Sequence, residues 1–237
     1  MFYPGFYFDR TMILLLPAVI ITIWAQSKVN STYRKYRDVR TMNGYTGEQV
    51  ARMMLDAAGL YHVPVLETRG ELTDHYDPRS KVIRLSSNIF HGASVAAAGI
   101  AAHEVGHAIQ HKEAYKPLVL RTSIATAVNI SSQASVFIFM LGLLFSIPVL
   151  TSVGIIFFTV AVFYQLITLP VEFNASKRAL NILQNRSILY GNEVNGAKSV
   201  LSAAAMTYVA AALMSVLQLV RLIANSNRKN DKEVTYE

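Results

Sequence analysis

The segment His103-Glu104-Val105-Gly106-His107 sets two imidazoles four residues apart with a carboxylate between them. On a helix that spacing places both rings on one face, one turn apart, so two nitrogens can converge on one divalent cation. Glu104 lies beside them and is positioned to take a proton from a water that the cation has acidified. The chain contains no cysteine, which excludes disulfides and thiolate ligands and leaves His, Asp and Glu as the available donors. The pattern predicts a Zn2+ cofactor with His103 and His107 as ligands and Glu104 as general base.

A catalytic zinc takes a third protein ligand and keeps a fourth position open. No histidine lies beyond His111. On one helix His111 and Glu113 stand about 12 Å and about 15 Å along the axis from His103, too far to share an ion. Downstream acids are Glu172, Glu193 and the terminal Asp231, Glu233 and Glu237. Glu172 is favoured, because two membrane crossings return the chain to the side it left after His107, and an acid at a membrane boundary requires a charged partner. Two other readings stand beside it: Glu193 as the ligand, and Glu172 as a surface residue capping a helix after Pro170. For the oxyanion formed at a substrate carbonyl the polar candidates are His75, Tyr76, Arg178 and Tyr190. Each also has an ordinary reading: His75 and Tyr76 in a turn-rich segment, Tyr190 before a turn glycine, Arg178 as a membrane-flanking charge. His111 reads as a polar residue on the helix face.

These residues must be held by a chain that is too apolar for an ordinary soluble domain. Only 16% of its 237 residues are charged, and its mean hydropathy is +0.32. The net charge of +7 does not form a basic stripe with interleaved aromatics; Lys and Arg gather where apolar runs end, which excludes nucleic acid as the partner and reads as topology. Thr11 to Ala25 is uncharged, preceded by a possible aromatic belt at Phe6, Tyr7 and Phe8 and followed by Lys28, Arg34, Lys35, Arg37 and Arg40. Lacking a basic n-region and an A-x-A exit, it predicts a retained anchor in place of a cleaved signal peptide. Residues 122–171 carry no charge; as one helix they would measure about 75 Å, against a bilayer core of about 30 Å. They must fold back, with the turn at Ser146-Ile147-Pro148 and helices over 130–147 and 151–169. Ser199 to Val220 predicts a last helix, crossing the membrane or lying flat on it, before a polar tail from Asn225.

In the polar segment, Thr46-Gly47-Glu48-Gln49 predicts a capping box opening a helix that stops at Gly59. Val63 to Glu67 and Lys81 to Leu85 read as strands, separated by a turn at Asp77-Pro78-Arg79-Ser80. An Ala-rich helix over 94–112 carries the histidines. The second strand offers an edge to an extended substrate, packs on that helix, or does both.

Ala102-His103-Glu104-Val105-Gly106-His107, with the strand before it and Glu172-Phe173-Asn174-Ala175-Ser176 after it, resembles the layout of the membrane gluzincins, which include the HtpX-like and prenyl-protein proteases. Asp74-His75-Tyr76-Asp77-Pro78, Arg84-Leu85-Ser86, Pro170 through Ser176 and Thr207-Tyr208-Val209-Ala210-Ala211-Ala212 are similar to the bacterial YugP-like family of neutral zinc metallopeptidases, over nearly the whole chain. The resemblance implies a membrane zinc peptidase with His103 and His107 as ligands, Glu104 as base and Glu172 as third ligand. In the broader gluzincins an Asp often sits four residues after the ligand Glu and braces a zinc-bound His; this chain has Ser176 there. The fold expected is a mainly α membrane protein, with about four transmembrane helices and a zincin-like α+β catalytic segment carrying a short β-sheet. The expected divisions are an N-terminal anchor helix over 1–26, the catalytic segment over 27–121, a transmembrane hairpin over 122–171, the third-ligand helix and loop over 172–198, and a C-terminal membrane helix with polar tail over 199–237.

Thirteen Lys and Arg fall in residues 27–121 and four in 173–198, against Arg10 alone before the first helix. That bias predicts a multi-pass plasma-membrane protein with its active site on the cytoplasmic face, although Arg221, Arg228, Lys229 and Lys232 oppose it if the last helix crosses. The function expected is zinc-dependent endopeptidase action on membrane-associated polypeptides, with the lipid bilayer as the environment. A site-2-type intramembrane protease would need a downstream Asp ligand, and none occurs between Asp77 and Asp231. A non-hydrolytic zinc-binding adaptor or chaperone would have no use for the base Glu104.

Overall fold

The structure, a computed structural model, describes residues 10–234, with side-chain surroundings for residues 11–227. The expected aromatic belt at Phe6, Tyr7 and Phe8 and the last three residues of the tail lie outside the described residues. Two compact units emerge. One comprises Ala25–Thr122 and Thr168–Tyr208, the other Met1–Trp24, Ser123–Ile167 and Val209–Glu237.

The first unit builds on α2 (Gly47–Ala57), opened by the capping box: the Thr46 hydroxyl accepts from the Gln49 N–H and the Gln49 side chain accepts from the Thr46 N–H. The chain leaves this helix through Gly59 at φ +68°, where a side chain would be strained. Three strands follow, β1 (Val65–Thr68), β2 (His75–Asp77) and β3 (Val82–Ser86), in the order β1-β3-β2, with β1 parallel and β2 antiparallel to β3. The strands expected over 63–67 and 81–85 are thus displaced by one or two residues, and a third appears in the segment read as turn-rich. The central place of β3 occupies both of its sides, so it offers no edge to a substrate; it packs instead against α4 (Val95–Lys112). A one-turn helix, α3 (Ser87–Phe90), links the two.

Ser94 caps α4 by accepting from the Ala97 N–H. The alanines of α4 serve packing, since Ala96, Ala97, Ala98, Ala101 and Ala102 are all fully buried. Its glycines permit backbone approach. A Cβ at Gly106 would lie 2.6 Å from the Ala175 carbonyl oxygen, and one at Gly99 would lie 3.4 Å from the Ala197 Cβ. Ala175 belongs to α6 (Pro148–Asn185) and Ala197 to α7 (Asn192–Val234), so α4 touches both helices closely within this unit. Met54, Leu55, Ile83, Leu85, Ile89 and Leu183 fill the core around it.

In the second unit α5 (Lys116–Leu144) and α6 form the hairpin. The turn falls where expected, with Ser146 at φ +56° and Pro148 at the first helical position. Small residues let the two helices of the hairpin meet: a Cβ at Gly154 would lie 2.7 Å from the Phe139 Cβ, and one at Gly142 would lie 2.5 Å from the Thr151 nitrogen. Each helix extends past one end of the uncharged run that announced it, α5 back to Lys116 and α6 on to Asn185, because the polar residues there keep helical hydrogen bonding. Pro170 sits inside α6 without ending it. The last helix likewise begins at Asn192 and runs to Val234, through residues read as a polar tail.

Among the described residues four helices are long and apolar enough to cross a membrane: Thr11–Arg37, which includes α1 (Leu16–Arg37), Lys116–Leu144, Pro148–Asn185 and Asn192–Asn227. Ile20, Trp24, Ile130, Phe137, Val149 and Phe163 are exposed on them, an apolar surface suited to lipid tails. The chain is a mainly α membrane protein with a small mixed three-stranded sheet.

Candidate metal centre

Helical spacing delivers His103 and His107 to one face of α4, their ring centroids 4.7 Å apart. The close pass of α6 over Gly106 sets Glu172, one turn before Ala175, against that face. Glu172 Oε2 lies 3.2 Å from His103 Nε2 and 3.4 Å from His107 Nε2, and the carboxylate is 2% exposed. All three donors fall within 4.8 Å of one another. Two ligands on one tetrahedral ion with bond lengths of about 2.0–2.1 Å would stand roughly 3.3 Å apart. The observed nitrogen-to-oxygen separations match that span.

Hydrogen bonds fix which ring nitrogen faces the centre. The Gln110 amide nitrogen donates to the Val171 carbonyl at 2.8 Å and to Asn174 Oδ1 at 2.9 Å. Its oxygen therefore faces His107 Nδ1, 3.0 Å away, and that nitrogen must be the donor. His107 thereby turns Nε2 toward Glu172, and between ring and carboxylate there is a place for a proton or for a cation. On His103 the equivalent position, Nδ1, lies 3.1 Å from Ser176 Oγ. The serine that departs from the gluzincin pattern thus contacts a histidine of the centre, as the aspartate would. Glu172 Oε1 accepts from Arg121 Nη1 at 2.8 Å.

Glu104, 7% exposed, points one carboxylate oxygen at the Tyr76 backbone N–H, 2.9 Å away on β2. The Tyr76 phenol goes elsewhere, 2.8 Å from His111 Nδ1; burial pushes its pKa up to about 12, so it stays protonated in its hydrogen bond to that ring. Asp74 lies in the same cavity as His103 and Glu104. Burial raises its pKa, partly offset by the Ser86 N–H and hydroxyl, both of which donate to it.

The other polar residues singled out from the sequence stand apart from the three donors. His75 is exposed, its Nδ1 bonded to the Thr73 carbonyl. Arg178 pairs with Glu113 at 2.7 Å and donates to Asn174. Tyr190 is exposed, and its N–H donates to Glu193, which also accepts from the Met42 N–H. Glu193 therefore caps a turn, and its carboxylate is not among the converging donors. Sequence reasoning gave no role to Gln110, Arg121, Asn174 or Asp74, although Asp74 and Asn174 lie in the segments that carry the family resemblance. Gln110 carried a local signal, being three residues after His107 and so on the same helix face.

The family described as "Putative neutral zinc metallopeptidase" matches residues 11–227. The protein named "Putative membrane protease YugP" from Bacillus subtilis (strain 168) is 50% identical over 210 residues, which cover 89% of this chain and 93% of the relative. The chain belongs to this zinc metallopeptidase family. No solved structure matches it. Family membership implies zinc, and the donor set of His103, His107 and Glu172 fits that ion in chemistry and spacing.

Partners that orient ligating imidazoles typically carry 10- to 100-fold in metal affinity. Gln110→Ala removes the acceptor that orients His107 together with a contact to α6, and zinc affinity is expected to fall by about that factor. A competition titration with a chromogenic chelator measures it.

Proposed function

We propose that this chain is a zinc-dependent membrane endopeptidase that hydrolyses peptide bonds of membrane-associated polypeptides, acting at the cytoplasmic face of the plasma membrane. The observation that carries the reading is the convergence of three donors within 4.8 Å, with Glu172 at ligand spacing from both imidazoles while His107 is pinned with Nε2 turned toward the centre. His103, His107 and Glu172 would hold the ion. Bound there, zinc supplies a Lewis acid that polarises the scissile carbonyl and acidifies water.

Glu104 carries the proton. Its carboxylate is aimed by the Tyr76 N–H and shielded from bulk water. It takes a proton from the attacking water as the oxygen bonds to the carbonyl carbon, then returns that proton to the departing amine nitrogen as the C–N bond breaks. Arg121 balances the charge of Glu172 through the oxygen that faces away from the histidines. Tyr76 acts on Glu104 through its backbone, with its phenol committed to His111. The cytoplasmic assignment rests on the Lys and Arg bias around the catalytic segment.

The test is zinc content and casein cleavage by the detergent-purified chain, before and after a chelator such as 1,10-phenanthroline. About one zinc per chain, with cleavage lost on chelation and restored by added zinc, is the expected result. Bound zinc with no turnover of casein or of unfolded membrane substrates would replace the peptidase with a non-hydrolytic zinc adaptor.

A further inference from the structure

Beside the three donors lies a cavity of about 180 Å³ into which His103 and Glu104 face. Its remaining walls are mostly apolar: Val29, Leu72, Ile100, Val200, Leu201 and Ala204. They come from α1, the loop before β2, α4 and α7, and all belong to one compact unit. An apolar cavity of about 150 Å³ is large enough to take a benzene ring. The acids at its margin are already engaged, Asp74 by both donors of Ser86 and Glu104 by the Tyr76 N–H, and no Lys or Arg lines it.

We propose that this cavity is the specificity pocket, taking one apolar side chain the size of leucine, methionine or phenylalanine from the residue next to the scissile bond. The inference rests on the peptidase reading and deepens it by naming the substrate feature selected. Adjacency supplies the link to catalysis: the side chain in the pocket and the group that moves the proton share a wall, so filling the pocket holds the neighbouring peptide bond near Glu104. A charged side chain entering the same space would lose its water and find the acids committed to other donors. A glycine would leave the cavity unfilled.

Ala204 is the smallest side chain in the wall, so a leucine there adds bulk to it. The experiment compares kcat/KM for peptides differing only at the residues flanking the cleaved bond, with Leu, Phe, Gly or Lys there, in the parent, Ala204→Leu and Val200→Ala. Zinc content monitors the integrity of each. The parent is expected to prefer Leu and Phe over Gly by roughly 10- to 100-fold, the range that differences of one or a few methylenes produce in apolar pockets. Ala204→Leu should cut that preference by about tenfold or more, and Val200→Ala should move it from Leu toward Phe. The same peptides are also titrated by fluorescence anisotropy against Glu104→Gln, which reads binding without turnover.

If the parent cleaves all peptides alike, or prefers Lys, or if zinc-replete Ala204→Leu and Val200→Ala keep the parental ranking, the pocket assignment is overturned and the peptidase reading stands. If nothing is cleaved, yet Glu104→Gln binds Leu and Phe peptides over Gly and adding Ala204→Leu removes the difference, the pocket stands and the peptidase reading falls.

Discussion

Glu104→Gln is expected to retain zinc at the parental level while its kcat falls by about 10²- to 10⁴-fold, the range that a positioned general base contributes. The two effects separate because Glu104 is not among the three converging donors. The amide oxygen of glutamine can still accept from the Tyr76 N–H, now at 2.9 Å from the carboxylate, so the local geometry survives. What is lost is an oxygen able to receive a proton. Metal analysis and steady-state kinetics on the same preparation provide the check. A variant that cleaves as well as the parent would remove Glu104 from the mechanism.

Loss of the metal itself is the expected outcome of Glu172→Ala. Glu172 Oε2 is within 3.4 Å of both imidazole nitrogens, and its other oxygen pairs with Arg121 at 2.8 Å. Deleting the carboxylate removes one ligand and leaves the guanidinium facing two histidines. The zinc affinity should fall by more than the 10- to 100-fold that an outer hydrogen-bonding partner commands, with activity falling in parallel. Because removing a buried carboxylate from beside a cation also destabilises the fold, Glu172→Gln provides the cleaner variant. It keeps an oxygen for Arg121 and most of the shape but removes the charge. If Glu172→Gln and Glu172→Ala both retain parental zinc affinity, the third ligand lies elsewhere.

Much of the centre was legible because helical spacing is a local property. A spacing of four positions puts two histidines on one face whatever surrounds them, and the hairpin argument brought Glu172 back toward them from the length of the uncharged run alone. The turn at Ser146-Ile147-Pro148 was readable for the same reason, since proline at a first helical position is set by its own ring. What escaped was decided by distant partners. The strand His75–Asp77 has three residues and no apolar alternation; it exists because β3 pairs with it. Pro170 looked like a helix boundary, but α6 continues through it, and the segment that follows packs its backbone on Gly106. Gln110 is a polar residue fully buried in an alanine-rich helix. Its purpose becomes visible only when Val171 and Asn174 arrive from a segment some sixty residues later in the sequence.

The contact of α4 with α6 at Gly106 has a thermodynamic corollary. Because the helices that carry the donors meet backbone to backbone, the entropy of gathering two imidazoles and a carboxylate is lost when the chain folds, before any ion arrives. Ion capture then requires little further ordering. Binding and packing are consequently reciprocal quantities: an ion that prefers the folded arrangement raises its stability in proportion to the logarithm of free metal, and anything that loosens the helix contact weakens the ion by the same free energy.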